Sequence, residues 1–238
     1  LGLQTVIRAL FPPQCLLCEA WVAEAGGLCP ECWRETEFLT GVLCDSCAAP
    51  LPGLEADIAV QCDTCLSTPP PWRHARAVMR YSGRGRHLVL ALKHSDRTDI
   101  APGAASMMHR AAHDIITTES VFVPVPLHWT RLAKRRYNQA ALLAQALAKQ
   151  TGAQAAVGAL HRSKRTRSLG GLNADARARE LDATIVVAQP QAVLGRHVVI
   201  VDDVLTSGAT LRACARTILQ AGAAHVDIVV LARAAPQA

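Results

Sequence analysis

Eight of the nine cysteines in this chain occur as four identical C-x-x-C pairs near one end: Cys15/Cys18, Cys29/Cys32, Cys44/Cys47 and Cys62/Cys65. A C-x-x-C turn presents two thiolates to one metal, and two such turns complete a tetrahedral sulfur shell suited to Zn2+. Four turns therefore imply two structural zinc ions. A disulfide framework would use the same cysteines, but it requires an oxidising compartment. The opening "LGLQTVIRALFPPQC" reads as a short buried or amphipathic segment and not as an export signal, so zinc is the expectation. Neighbouring pairs give the simplest arrangement, Cys15/Cys18 with Cys29/Cys32 and Cys44/Cys47 with Cys62/Cys65. An interleaved pairing satisfies the same spacing. The ninth cysteine, Cys214, lies in an apolar helical stretch and reads as a core thiol.

Charge divides the chain at the same place. Residues 1–70 carry two basic and nine acidic side chains, whereas residues 71–238 carry 23 basic and 10 acidic ones. Thiolate-bound zinc would make the first part more acidic still, which argues against a phosphate-gripping finger and for a structural or docking role. The proline-rich "STPPPWRHARA" (67–77) marks the boundary, giving a Cys-rich module at 1–70 and a basic module at 71–238. No apolar run reaches the roughly 18 residues that span a bilayer, so a cytoplasmic protein with no membrane span is expected.

In the second module strand-like and helix-like segments alternate. The strands read as "ARAVMRY", "VFVPVP", "TIVVA", "HVVIVDD" and "HVDIVVLA". Between them lie the helices "RHLVLALKH", "APGAASMMHRAAHDIITT", "NQAALLAQALAKQTG" (stopped at Gly152) and "ATLRACARTILQAG". That alternation predicts an α/β fold, a largely parallel sheet flanked by helices. Ligands of such sheets sit at the carboxyl ends of the strands.

The stretch "VVIVDDVLTSGAT" (198–210) brings an apolar strand to two adjacent carboxylates, Asp202 and Asp203, and then to a small-residue turn at a helix start. Unpaired burial of either acid would be costly, so a ligand rich in hydroxyls or positive charge is expected beside them. The loop of Thr206, Ser207, Gly208, Ala209 and Thr210 supplies backbone N–H groups and hydroxyls as an anion cradle. No G-x-x-x-x-G-K-[ST] motif is present, "SGRGRHL" lacks the third glycine of a dinucleotide fingerprint, and the one aspartate downstream that could accept phosphate as in a receiver, Asp227, lies inside an apolar strand. Strand–Asp–Asp–x–x–Thr–x–Gly–x–Thr–helix looks like the ribose-phosphate signature of type I phosphoribosyltransferases.

Taken with the four C-x-x-C pairs, "PVPLHWTRLAKRRYNQAALLA" and the terminal "VDDVLTSGATLRACA", the chain resembles the ComF family over nearly its whole length. The resemblance implies a double zinc ribbon ahead of a phosphoribosyltransferase-like domain. It also implies binding of phosphoribosyl pyrophosphate with Mg2+, and a part in DNA uptake (competence) with single-stranded DNA on the basic face and a competence helicase as partner. Asp202 and Asp203 would serve as the catalytic hydroxyl acceptors, the 206–210 loop would hold the phosphate, and Arg131, Lys134 and Arg135 would meet pyrophosphate. The family's loop T-x-x-Q-x-G-L-S…R-x-x-N-V-x-x-A-F departs here, with Leu169, Glu180 and Ile185 at three of its positions, while Thr166, Gly171, Leu172 and Arg177 keep the pattern. Because a mobile loop excludes water during transfer, these changes bear on turnover more than on binding. The resemblance leaves open whether the protein only binds, or is an active phosphoribosyltransferase that transfers ribose 5-phosphate to a nitrogen acceptor.

Two smaller features read as ordinary surface or packing. His109 and His113 have helical metal-ligand spacing but no third ligand nearby in sequence. Trp21 and Trp33 are expected to pack on the knuckles, and Trp129, in the basic segment, is the stacking candidate.

Overall fold

In a computed structural model of the chain, residues 12–53, 58–94, 97–127, 136–162 and 184–235 are described. Short helices α1 (Pro30–Glu35) and α2 (Asp63–Ser67) each begin immediately after the first cysteine of a C-x-x-C pair. The Cys-rich segment then leads into β1 (Ala75–Arg80), α3 (Gly83–His94), α4 (Ile100–Ala111), β2 (Val121–Pro124), α5 (Gln139–Thr151), β3 (Gln154–Ala155), β4 (Leu160–Arg162), β5 (Ile185–Val187), β6 (His197–Leu205), α6 (Ala209–Gln220) and β7 (His225–Arg233).

Five strands form one parallel sheet in the order β1–β7–β6–β2–β3. Its central strands are apolar on both faces, because helices cover both sides. Val199, Val201, Val229 and Leu231 pack with Leu88, Leu92, Met108, Leu143 and Leu147 of α3, α4 and α5. Val198, Ile200, Ile228 and Val230 pack with Leu211, Cys214 and Ile218 of α6. Cys214 is thus the core thiol its apolar setting predicts. Helix α5 starts where the Asn138 side chain accepts the Ala140 N–H at 3.0 Å, and ends at Gly152 in the left-handed conformation.

Two strand expectations are corrected. "TIVVA" supplies β5, but β5 pairs antiparallel with β4 in a separate two-stranded sheet and does not join the main one. Strand β6 does not stop at the aspartates either: it runs through them to Leu205, because β7 continues alongside with Val230, Ala232 and Arg233 as partners. Its other neighbour, β2, stops earlier, with Pro124 opposite Val201. Asp202 therefore lies one residue beyond the end of β2 and still within the β6–β7 ladder.

The Cys-rich segment lies directly on this domain. Residues 37–39 run beside the outer edge of β1, with Leu39 N–H donating to Val78 O at 2.9 Å and Arg80 N–H to Glu37 O at 2.8 Å. An exposed sheet edge is thereby covered. Asp45 accepts from Arg76 at 2.9 Å and lies 2.7 Å from His74 Nδ1, and Arg76 continues to Asp114 at 2.6 Å. At the other end of the segment Gly26 meets Gly103 of α4 so closely that a Cβ on Gly103 would collide with the Gly26 carbonyl. Among the described residues no helix is long and apolar enough to cross a membrane.

Candidate functional site

The eight cysteines resolve into neighbouring clusters, Cys15/Cys18/Cys29/Cys32 and Cys44/Cys47/Cys62/Cys65, and not into the interleaved alternative. In each, all four sulfurs lie within 4.8 Å of one another. Cys18 Sγ is 3.5 Å from Cys29 Sγ, and Cys47 Sγ is 3.8 Å from Cys62 Sγ. A tetrahedron with Zn–S bonds of about 2.3 Å has edges near ~3.8 Å, so the donor sets fit zinc. Backbone N–H groups point at the sulfurs, Cys29 N–H to Cys15 Sγ and Cys62 N–H to Cys44 Sγ, both at 3.3 Å. Burial works against the Cys15 thiolate, yet the backbone N–H groups around it outweigh burial and bring that thiol down to about 6. Such second contacts favour the metal-binding form of the ligand.

The second site forms where β6 passes the end of β2. A strand alternates its side chains between faces, so Asp202 follows Val198 and Ile200 toward α6, while Asp203 follows Val199 and Val201 toward α3. Adjacent carboxylates are thereby separated to opposite faces of the sheet. On its face Asp203, 7% exposed, pairs with Lys93 Nζ of α3 at 3.0 Å. Among the described residues Asp202 has no such cation: burial first, then the Asp203 charge, pushes its carboxyl up to about 8, only partly offset by the Asp203 N–H at 2.8 Å and by Lys93. An acid held in this way at neutral pH can donate or accept a hydrogen bond, and it gains when a partner stabilises its anion.

The loop after β6 is the stretch read from the sequence as an anion cradle. Thr206 and Ser207 are exposed, and Gly208, at φ +77°, is the residue preceding α6, whose first turn has no side-chain cap there. A left-handed residue at this corner is glycine's role, since a Cβ strains that conformation. Ala209 and Thr210 open the helix, and none of the hydroxyls of Thr206, Ser207 or Thr210 is engaged in a hydrogen bond among the described residues. The N-terminal N–H groups and helix dipole at this point suit an anion.

Four residues that local motifs do not reveal shape this site. Besides Lys93, Arg233 is buried and fixes the loop from below: its guanidinium donates to Leu205 O at 3.1 Å, Thr206 O at 3.0 Å, Ala234 O and Cys47 O at 2.8 Å. Trp72 donates from Nε1 to Ser46 O at 2.7 Å, and Arg212 of α6 lies over its ring at 5.5 Å. A small pocket remains between Cys47, Cys62 and Cys65 on one wall and Thr206, Ser207, Gly208 and Arg212 on the other. The second cysteine cluster and the candidate phosphate loop are therefore neighbours, joined through Arg233.

Arg131, Lys134 and Arg135, Trp129, and positions 166–180 of the departing loop lie outside the described residues. The end of the basic segment is described: Arg136 is exposed at φ +67°, Tyr137 Oη donates to Leu92 O at 2.7 Å, and Asn138 Nδ2 donates to Val125 O at 3.0 Å. These bonds deliver the segment to the same carboxyl end of the sheet as Asp203. His109 and His113 are not brought together with a third ligand among the described residues. Trp33 contacts Phe38 rather than standing free, whereas Trp21 is 78% exposed, contrary to the expectation that it packs on a knuckle.

Comparisons with known proteins match two parts of the chain. A double zinc ribbon domain family matches residues 6–66, and a phosphoribosyl transferase domain family matches residues 138–238. The DNA utilization protein YhgH of Escherichia coli (strain K12) is 33% identical, over 93% of this chain and 97% of that protein. Competence protein F of Haemophilus influenzae is 28% identical, over 87% of this chain and 91% of that protein. The solved adenine phosphoribosyltransferase of Thermoanaerobacter pseudethanolicus has a TM-score of 0.38 at 17% identity, covering 61% of this chain and 84% of that one.

Proposed function

The chain belongs to the ComF family, with a double zinc ribbon and a phosphoribosyltransferase-type domain, and on that premise we propose that it binds phosphoribosyl pyrophosphate with Mg2+ and acts in DNA uptake. The observation that carries this reading is the Asp202–Asp203 pair beyond the end of β2, running directly into the uncapped Thr206–Thr210 helix start. The 5-phosphate sits in the loop formed by Thr206, Ser207, Gly208, Ala209 and Thr210. The ribose hydroxyls donate to Asp202 and Asp203, the latter paired with Lys93 at 3.0 Å. Arg131, Lys134 and Arg135 meet the pyrophosphate by charge. Bound Mg2+ would supply further neutralisation of the pyrophosphate charge. The neutral form of Asp202 lowers repulsion while the site is empty of ligand, and loss of its proton strengthens the bond to a diol.

The basic module, taken as residues 71–238, carries single-stranded DNA through phosphate contacts, so binding weakens steeply with salt. The acidic module, residues 1–70, offers a docking surface for a helicase partner in the cytoplasm. A second reading is favoured by the phosphoribosyl transferase domain match: the same site transfers ribose 5-phosphate to a nitrogen acceptor, with leaving charge on pyrophosphate stabilised by the basic segment.

Paired assays on one purified sample separate these readings. Saturable, Mg2+-dependent phosphoribosyl pyrophosphate binding, lost in Asp202→Ala/Asp203→Ala and unaccompanied by pyrophosphate release with any nucleobase, is expected for the binding protein. Pyrophosphate release with one nucleobase establishes the transferase. Failure of the ligand to bind at all contradicts both.

A further inference from the structure

At the amino ends of the same strands, remote in the sheet from the aspartate pair, lies another group of metal-ligating side chains. His197 and His225 open β6 and β7 as register partners, and Asp227 projects from the same face of β7 as His225. The ligand atoms of the three lie within 4.8 Å of one another. His197 Nε2 is 2.8 Å from Asp227 Oδ2, and its Nδ1 is 3.1 Å from Ser120 Oγ. Asp227 is buried, and its other oxygen accepts the His74 N–H at 2.9 Å. The His225 ring stacks on His197 at 4.2 Å and has no hydrogen bond of its own among the described residues.

Each inner contact has an outer one of the kind that orients a metal ligand. Ser120 engages one nitrogen of His197 and leaves the other facing the carboxylate; the His74 N–H engages one oxygen of Asp227 and leaves the other facing the ring. We propose that His197, His225 and Asp227 form a third metal site, taking one borderline divalent ion such as Zn2+, with water completing its shell. Imidazole nitrogens select such an ion over Mg2+ or Ca2+, which depend on oxygen ligands and charge. That choice matters because Arg73 lies close enough to His225 to act on it electrostatically, which opposes a cation held by charge alone. Coordination requires the His225 ring to swing out of the stack, a motion that no hydrogen bond among the described residues opposes, and the proton shared by His197 Nε2 and Asp227 Oδ2 to pass to solvent as the ion takes its place. The ion would tie the starts of β6 and β7 together and leave both cysteine clusters untouched.

Zinc counting after equilibrium dialysis against micromolar Zn2+ tests the site in the full chain. The wild type is expected to retain three ions, one beyond the two cysteine clusters, and His225→Ala to retain two. Asp227→Asn should also lose the third ion, whereas His109→Ala should keep it. In cobalt-substituted samples the thiolate-to-metal absorption should be equal in all variants, which reports that the cysteine clusters remain folded. His225, half-buried and unbonded, is the variant that does not depend on Asp227's structural bonds. Two ions in the wild type, a third ion that survives His225→Ala, or one that disappears with His109→Ala overturns the proposal.

Discussion

Cys15, Cys18, Cys29 and Cys32 form a cluster whose neighbouring turn meets the rest of the chain at α4, where Gly26 lies against Gly103. Cys44, Cys47, Cys62 and Cys65, with the same ligands and the same C-x-x-C turns, instead stand against the loop that follows β6. The difference is one of attachment. The first cluster's segment attaches to α4 through the Gly26–Gly103 approach and to α3 through the Glu35–Arg84 ion pair, and it does not line the pocket beside the loop that follows β6. The second shares Arg233 with the candidate phosphate loop, lends Ser46 O to Trp72, and places Trp72 under Arg212 in the first turns of α6. One zinc-type module is therefore a structural appendage, and the other is part of the floor of the candidate site.

The largest expected effect breaks this pairing apart. Metal binding supplies about 10 kcal/mol or more of folding free energy to small zinc modules. Cys62→Ser/Cys65→Ser and Cys29→Ser/Cys32→Ser should each lose one zinc by metal analysis. Only the first should weaken phosphoribosyl pyrophosphate binding by tenfold or more in calorimetric titration; the second should change it by less than twofold. Equal losses would erase the distinction between the clusters.

Arg233→Met sharpens the same comparison without touching a thiolate. It leaves the carbonyls of Cys47, Leu205 and Thr206 without their shared donor, at a cost of about 2–4 kcal/mol in denaturant unfolding. Zinc content should remain at the wild-type level while ligand affinity falls, which separates the loop's support from the metal itself.

The pH dependence follows from Asp202. Its folded-state carboxyl titrates at about 8 against 3.8 for an ordinary aspartate, so the folded protein holds a proton that the unfolded chain releases. This group's contribution to unliganded stability is intact below about pH 4 and is lost progressively as pH rises toward about 8. Ligand binding through the ionised carboxylate moves the other way: affinity should rise from neutral pH to about 8 and level off above. Asp202→Asn should flatten both trends.

A smaller effect belongs to the loop corner. Gly208→Ala faces ordinary contacts at 3.4 Å to Leu205 and 3.5 Å to Trp72, so its cost is the left-handed backbone alone, roughly 1–2 kcal/mol. Thermal unfolding should register it, with a matching modest loss of phosphate affinity.

These two regions also show what a sequence yields and what it withholds. The clusters and the Asp202–Thr210 stretch are legible because their chemistry is local: the two cysteines of each turn and both acids of the pair fall within a few residues. Their partners are not. Lys93 reaches Asp203 from a distant helix, and Arg233 reaches Cys47 across 186 positions, so no spacing rule marks either. The sense of the aspartate pair changed for a similar reason. Read alone, the strand ends in two mutually repelling acids; beside β7 it continues past them, and its alternation sends one acid to Lys93 and the other toward α6. Likewise "TIVVA" has the composition of a core strand, but only the chain's path assigns it to the small antiparallel sheet with β4.

The central claim, a phosphoribosyl site floored by the second cluster, is tested most directly by titrating Mg2+ and phosphoribosyl pyrophosphate into the zinc-loaded full chain and into Asp202→Asn/Asp203→Asn. The account predicts one saturable, Mg2+-dependent event per wild-type chain and its loss in the double variant, with zinc content equal in both. Absence of saturable binding to the wild type, or equal binding to the double variant, would contradict it.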